Sequence, residues 1–458
     1  MEKHHHHERS TFSGKLGFVL SAAGASVGLG NIWRFPYLAA KYGGGIFLLI
    51  YIILALTFGY SMIIAETALG RMTRKSPVGA FGKFGKSKWL SFGGWINAVI
   101  PILIVPYYSV IGGWVIKYLI EYVKGNSQKL AEDGYFSAFI SDGTSTEICF
   151  LVFALLTLAI IFAGVRNGVE RVSKFMMPIL VFLSVLIAIY SVTRPGALAG
   201  VKYFLVPNPA NFSWMTVVAA MGQMFYSLSI AMGILVTFGS YMKRDVSIEG
   251  STTNVEIFDT AIAIMAGLMI IPAVFAFSGG DPDTLQAGPA LMFITIPKVF
   301  ANMGFGTPIG IIFFLLVLMA ALTSSIALTE SAVSTFQDEL RWPRKGATVI
   351  VGIIMVILGS LSSLGYGPLA FVKIIGMQFL DFFDFLTNSV MMPIAAFATC
   401  ILISRVIGVG KIEEEVEADG GSFKRKKVFR FMIRYLCPIF TVIILLSSGA
   451  NAFGWISM

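Results

Sequence analysis

The sequence predicts an all-α integral membrane protein: eleven transmembrane helices in a five-plus-five inverted repeat, with helices one and six unwound at mid-membrane. Three observations carry this expectation. Apolar residues make up 56% of the 458 and charged residues only 13%, with a mean hydropathy of +0.80. A water-soluble chain carries about 25% charged residues, so this one cannot cover a surface in water and takes lipid as its solvent. Eleven apolar runs approach or exceed the roughly 20 residues a span needs. Two of them, the first and sixth, are interrupted by glycine and polar residues.

In chain order the runs lie near 15–41, 46–72, 90–123, 147–164, 169–193, 213–243, 253–278, 308–338, 346–364, 372–404 and 426–452. They divide the chain into an N-terminal tail (1–14), a first five-helix repeat (15–193), a connecting loop (194–212), a second repeat (213–404), a further loop (405–425) and a last helix with the C-terminus (426–458). The tail holds His4 to His7, which read as a tag or unstructured extension rather than a metal site. Two loops, about 124–146 and 279–307, are long enough to hold structure of their own. The second contains the apolar string LMFITIP and is expected to fold back over the protein as a lid. Cys149, Cys400 and Cys437 lie in apolar runs without paired spacing, which predicts buried thiols and neither a disulfide nor a metal site.

The net charge of +9 does not point to nucleic acid, because the basic residues cluster in short loops between apolar runs. Arg71, Arg74, Lys75, Lys83, Lys86 and Lys88 follow the second run; Arg341, Arg344 and Lys345 follow the eighth; Lys424 to Lys427 and Arg430 precede the eleventh. Loops on the other side are poorer in cations and carry acids such as Asp281 and Asp283. The positive-inside rule then places the N-terminus in the cytoplasm and the C-terminus outside, in a multi-pass inner-membrane topology.

The first run concentrates Gly24, Gly28 and Gly30 around Ser26, followed by Asn31, Arg34 and Pro36. Each glycine weakens a helix by up to about 1 kcal/mol relative to alanine. Gly24 and Gly28 alone would also suit tight helix packing, but the adjoining Asn31 and Arg34 favour an unwound segment with a function. The sixth run places Gly222, Gln223, Tyr226, Ser227, Ser229 and Gly233 at similar depth. Serines there can bond back to their own helix; paired with the first run, the pattern reads as a second break. Broken helices aim free N–H groups at an anion such as a carboxylate, and free carbonyls at a cation.

At these residues the chain resembles the neurotransmitter:sodium symporters, specifically the bacterial amino-acid members with the leucine-transporter fold. The string GASVGLGNIWRFPY at 24–37 looks like the family signature, supported by GGGIF at 43–47, PYY at 106–108, GQMFYSLS at 222–229 and ALTSSIA at 321–327. The resemblance runs from about Lys15 to about 440. It implies sodium-driven import of hydrophobic L-amino acids, aromatic or branched aliphatic, by alternating access. Two Na⁺ sites and no organic cofactor are implied, and no catalytic residue.

Residue by residue, the resemblance places a first sodium among Ser26, Asn31, Ser227 and Asp259, the last standing where the family usually carries Asn. A second sodium would lie among the carbonyls of Gly24, Val27 and Ala320 and the hydroxyls of Thr323 and Ser324. The substrate carboxylate would meet the N–H groups of Leu29 and Gly30 and the Tyr108 hydroxyl, and its amine Ser26, Tyr226, Ser227 and Ser229. Ile104, Tyr226, Met232, Leu328 and Ser324 would line the pocket. Arg34 would gate it by pairing with Asp384, or with Asp381. On the cytoplasmic side Arg9 and Phe12 would form the inner gate, with Asp338 as ionic partner. Gly168 and Pro178 in the fifth helix match a spacing at which that helix unwinds in family members.

Three departures from the family pattern stand out. Asp259 brings a negative charge beside Ala263, where the family carries Ser or Glu, which predicts chloride independence. Ala231-Met232-Gly233 replaces the family's Gly-Phe-Gly, with Met232 suited to varied apolar side chains and Ala231 expected to narrow the pocket. The chain also has eleven helices rather than twelve. Glu66 is expected to hydrogen-bond unwound backbone. A transport-inactive amino-acid sensor and a Na⁺-permeable channel of the same fold remain open at this point. An enzyme is disfavoured, because the runs hold no histidine and no nucleophile–base set.

Overall fold

In lipid, each backbone N–H and C=O must find its partner within its own segment or in a protein-lined cavity, and the apolar runs accordingly fold as helices. The computed structural model of the chain describes residues 10–285 and 288–456. The first run forms α1 (Lys15–Ser26) and α2 (Gly30–Lys41), which meet at 54°. It is followed by α3 (Gly45–Thr73), α4 (Lys88–Val123), α5 (Gly143–Phe162) and α6 (Val165–Val192). The sixth run forms α7 (Trp214–Ser227) and α8 (Ile234–Tyr241), separated by residues 228–233. Then come α9 (Ile248–Ser278), the short α10 (Leu291–Ala301), α11 (Gly306–Leu340), α12 (Arg344–Leu364), α13 (Phe379–Ile407), α14 (Val409–Glu417) and α15 (Lys426–Ala452). Among the described residues, nine helices are individually long and apolar enough to cross a membrane, and the α1–α2 pair acts together as a tenth. The α7–α8 pair occupies the place of the remaining run.

Four helix starts, at Gly143, Val165, Ile248 and Phe379, differ by four residues or more from the hydropathy reading, and the first and last of them show why. The fourth run begins at Gly143 rather than near 147, because the Asp142 carboxylate caps the amides of Thr144 and Ser145 at 3.2 and 3.3 Å. The tenth begins at Phe379 rather than near 372. The apolar residues before it form a small hairpin, closed by reciprocal 2.9 Å bonds between Ile374 and Met377.

The helices pack as two sets. The α1, α3, α8 and α9 helices pack on one another, and α4, α5, α11 and α12 form the other set. The approach of α3 to α8 is backbone on backbone: a Cβ at Gly70 or at Gly239 would collide with a main-chain carbonyl of the other helix. Both broken helices lie where the two sets meet.

Candidate substrate and sodium site

The break between α1 and α2 follows from its residues. Val27 leaves the helix with φ −76° and ψ 92°, and Asn31 closes the gap by accepting from the Gly28 amide at 3.5 Å through Oδ1. In the second break Ser229, Ala231 and Gly233 adopt φ of 53°, 60° and 69°. Only glycine does so without strain, so two of these three positions are held in place by their surroundings. Glu66, fully buried in α3, accepts from the Ala231 amide at 2.8 Å, and Ser229 donates to the Ala25 carbonyl at 3.1 Å. The carboxylate and the serine supply partners that helical backbone would otherwise have provided.

A cavity lined mostly by buried residues lies between the breaks. All eleven residues expected to contact substrate line it: Ser26, Leu29, Gly30, Ile104, Tyr108, Tyr226, Ser227, Ser229, Met232, Ser324 and Leu328. Ala25, Gly28, Asn31 and Ile234 complete the lining, whereas Ala231 is not part of it. The expected narrowing by Ala231 therefore gives way to a backbone role. Tyr108 reaches over the break, with its hydroxyl 3.5 Å from the Leu29 amide. A Cβ at Gly30 would lie 2.5 Å from the Tyr226 ring, so glycine is needed for this approach.

At one end of the cavity Asp259, fully buried in α9, accepts from Asn31 Nδ2 at 2.9 Å and from Ser227 Oγ at 3.0 Å. Tyr51 of α3 donates to its other oxygen at 3.3 Å. Of the four residues expected around a first sodium, these bonds tie Asn31, Ser227 and Asp259 together directly; Ser26 lines the same cavity while its hydroxyl donates to Ala22 O at 3.1 Å. At the other end, Ser324 Oγ lies 3.2, 3.1 and 3.4 Å from the carbonyls of Gly24, Ala25 and Val27. Thr323 Oγ1 lies 3.1 Å from Ala320 O. Ser324 thus joins the carbonyls of Gly24 and Val27, two of those expected around a second sodium, and the Thr323 side chain packs beside Gly24 while its hydroxyl bonds back to Met319 and Ala320 within α11. Both clusters are rich in oxygen atoms, the donor set a hard cation takes, with the Asn31 Nδ2 bond to Asp259 the one nitrogen contact among these. Among the described residues no group of three His, Cys, Asp or Glu side chains could hold a metal ion, so carbonyls and hydroxyls carry these clusters.

The gating residues are placed less uniformly. Arg34, Asp381 and Asp384 face one vestibule outside the cavity, where Gly288 and Pro289 of the lid segment also stand. Arg34 lies over the Tyr226 ring, 5.4 Å from its centroid, and among the described residues it forms no ion pair with either acid. Asp384 instead accepts from Asn388 Nδ2 at 2.6 Å, and Asp381 from the Tyr366 hydroxyl at 2.9 Å. On the N-terminal face Phe12 is buried, edge-on to Phe238 and Tyr241 at 5.4 and 5.9 Å. Asp338 accepts from the Ser76 amide at 2.6 Å; Arg9 lies outside the described residues. Gly168 sits in a wide turn, Val165–Glu170, and Pro178 lies inside a helix that is wound throughout.

Sequence reasoning gave no role to Tyr51 and named Gln223 only as one of the polar residues of the second break. Tyr51 looks like one more aromatic in an apolar run. Gln223 is buried and donates to the Gly30 carbonyl at 3.1 Å; its place within the GQMFYSLS string was the available signal.

Comparison with known proteins agrees with this geometry. The profile of the sodium:neurotransmitter symporter family matches residues 9–131 and 136–453. The uncharacterized sodium-dependent transporter YhdH of Bacillus subtilis is 34% identical over 443 residues, covering 95% of this chain and 97% of that protein. The sodium- and chloride-dependent GABA transporter 2 of Mus musculus is 27% identical over 460 residues, 90% of this chain and 75% of that one. Among solved structures, MhsT in complex with L-phenylalanine superimposes with a TM-score of 0.85 at 35% identity, covering 96% of this chain and all of that one. A multi-pass membrane protein with the leucine-transporter fold, the chain belongs to the sodium:neurotransmitter symporter family.

Proposed function

We propose that this protein is a symporter that uses the sodium gradient to import hydrophobic L-amino acids, aromatic or branched aliphatic, by alternating access. The observation that carries the reading is the buried cavity where both broken helices meet, bordered by the Asn31–Ser227–Asp259 cluster and by Ser324 with the carbonyls at the end of α1. The amides of Leu29 and Gly30 and the Tyr108 hydroxyl are suited to a carboxylate, and the carbonyls around the second break to an ammonium group. Ile104, Met232 and Leu328 give the rest of the cavity an apolar character, and MhsT, the similar structure, holds L-phenylalanine.

In this reading two Na⁺ ions occupy the two clusters. The one beside Asp259 touches the substrate carboxylate, so each ligand raises the other's affinity by the same factor. Asp259 supplies the negative charge there, and transport is independent of chloride. The buried Phe12 plug seals the N-terminal face while the vestibule at Arg34 stands on the other side; such one-sided closure suits alternating gates rather than a continuous pore. The topology is that of an inner-membrane protein with a cytoplasmic N-terminus. The test is a thermal-shift screen of the twenty L-amino acids on purified protein in Na⁺ and in K⁺. Stabilisation by bulky apolar amino acids in Na⁺ alone is expected; equal stabilisation in K⁺ would overturn the reading.

A further inference from the structure

The N-terminal face carries buried charges that the binding site does not use. Arg71, at the end of α3, is 2% exposed. Its Nε meets Glu415 of α14 at 2.7 Å, one terminal nitrogen donates to the Val246 carbonyl at 2.7 Å, and the other to the main-chain carbonyl of Glu415. One guanidinium thus joins three segments: α3, the α8–α9 connection and α14. Arg425, just before α15, grips Glu256 of α9 through two bonds at 3.0 and 2.6 Å. The same guanidinium stacks on the Tyr60 ring of α3 at 3.5 Å. Glu249, in the first turn of α9, accepts from the amides of Lys424 and Arg425 at 2.7 and 3.0 Å and from the Tyr60 hydroxyl at 2.5 Å.

Every one of these anchors belongs to the set made by α1, α3, α8 and α9, or to the connection within it. The other half of α13 is held by the opposite set. Tyr107 of α4 bonds Thr387 and Asn388 at 3.2 and 3.3 Å, and Asn97 of α4 donates to the Ala395 carbonyl at 3.4 Å. Between Ala395 and the strap, α13 ends in the wide turn Leu402–Ile407. A wide turn loosens the helix ladder and localises bending. Forked, buried Arg–carboxylate contacts fix geometry far more tightly than surface pairs do.

We infer that residues 409–425 form a strap that makes the N-terminal-face ends of α13 and α15 travel with the α1, α3, α8, α9 set, with Arg71 as its positioning residue. The inference rests on the alternating-access reading above. When the two sets reorient, α13 bends between Ala395 and Ile407, and the strap stays closed.

Spin-label pairs on the full chain, with Cys149, Cys400 and Cys437 replaced by alanine, test this directly. Glu414→Cys reports the strap, Asp245→Cys the α8–α9 connection, and Lys345→Cys the opposite set; all three positions are exposed. Between K⁺ and saturating Na⁺ with L-phenylalanine, the 414–245 distance is expected to stay fixed while the 414–345 and 245–345 distances change together. A fixed 414–345 distance beside a changing 245–345 distance would assign the strap to the wrong set and overturn the inference. If 245–345 is fixed as well, alternating access itself fails and the strap's role with it. Arg71→Gln is expected to broaden the 414–245 distribution and lower the maximal transport rate about tenfold while leaving Na⁺ affinity unchanged. A sharp distribution at full rate would remove Arg71 from the role. Arg425→Gln provides the same readouts if Arg71→Gln does not fold.

Discussion

Ser227 Oγ lies 3.0 Å from both carboxylate oxygens of Asp259. Asn31 and Tyr51 add one donor each, so a negative charge is held in the membrane interior by three neutral donors. A buried charge is costly unless paired and hydrogen-bonded, and the arrangement makes sense with a cation beside it.

Replacing that carboxylate by its neutral isostere separates the charge from the geometry. Asp259→Asn is expected to leave the hydrogen-bond frame in place while removing the fixed anion, so that uptake comes to depend on chloride. Uptake measured in chloride and in gluconate would show equal rates for the parent and unequal rates for the variant. A chloride-indifferent, active Asp259→Asn protein would refute the charge argument.

Ser324 is shared among the carbonyls of Gly24, Ala25 and Val27. Removing its hydroxyl deletes an oxygen from the second cluster and the tether that holds the end of α1. Ser324→Ala is expected to weaken apparent Na⁺ affinity by about tenfold, or about 1.4 kcal/mol. Sodium titrations of substrate binding would read it out.

Ala231 stands at φ 60° with its amide given to Glu66. Glycine relieves the clash between Cβ and carbonyl that such a conformation imposes on alanine. Ala231→Gly is expected to stabilise the protein by up to about 1 kcal/mol, visible as a raised thermal midpoint. A lowered midpoint would show that packing of the methyl group outweighs the strain.

The start of α6 offers a kinetic test. A Cβ at Gly168 would collide with the carbonyl oxygen of Ile160, so Gly168→Ala must displace the wide turn. Pro178→Ala restores a helix amide and stiffens the segment. If α6 unwinds to let water reach the second sodium, Pro178→Ala slows sodium release in single-turnover efflux, with equilibrium binding preserved. Release at the parent rate would end the unwinding hypothesis.

What could be read in advance depended on whether the signal was local. The glycines and Asn31 of the first run marked the α1–α2 break, because helix weakness and buried polarity are properties of neighbouring residues. Thr323 and Ser324, by contrast, look like packing residues until the resemblance gives them a partner. Tyr51, 208 residues from Asp259, carries no local sign of its role, since an aromatic hydroxyl in an apolar run fits packing equally well. The start of α13 differs for a related reason: hydropathy cannot distinguish a spanning residue from an apolar residue in a hairpin such as 372–377. Arg34 also shows this limit. The sequence offers it two acids, Asp384 and Asp381, and in the fold Asn388 and Tyr366 hydrogen-bond them instead.

By itself the sequence determined the solvent, the helical class and the places where two helices fail, because each follows from composition and short-range backbone preference. Only the tertiary structure decided which oxygens meet, and that α14 is tied to α3 and residues 424–425 to α9. Those arrangements join residues up to 344 positions apart, as in the pair of Arg71 and Glu415. The packing of whole helices sets the distance between such groups, and no local propensity encodes it.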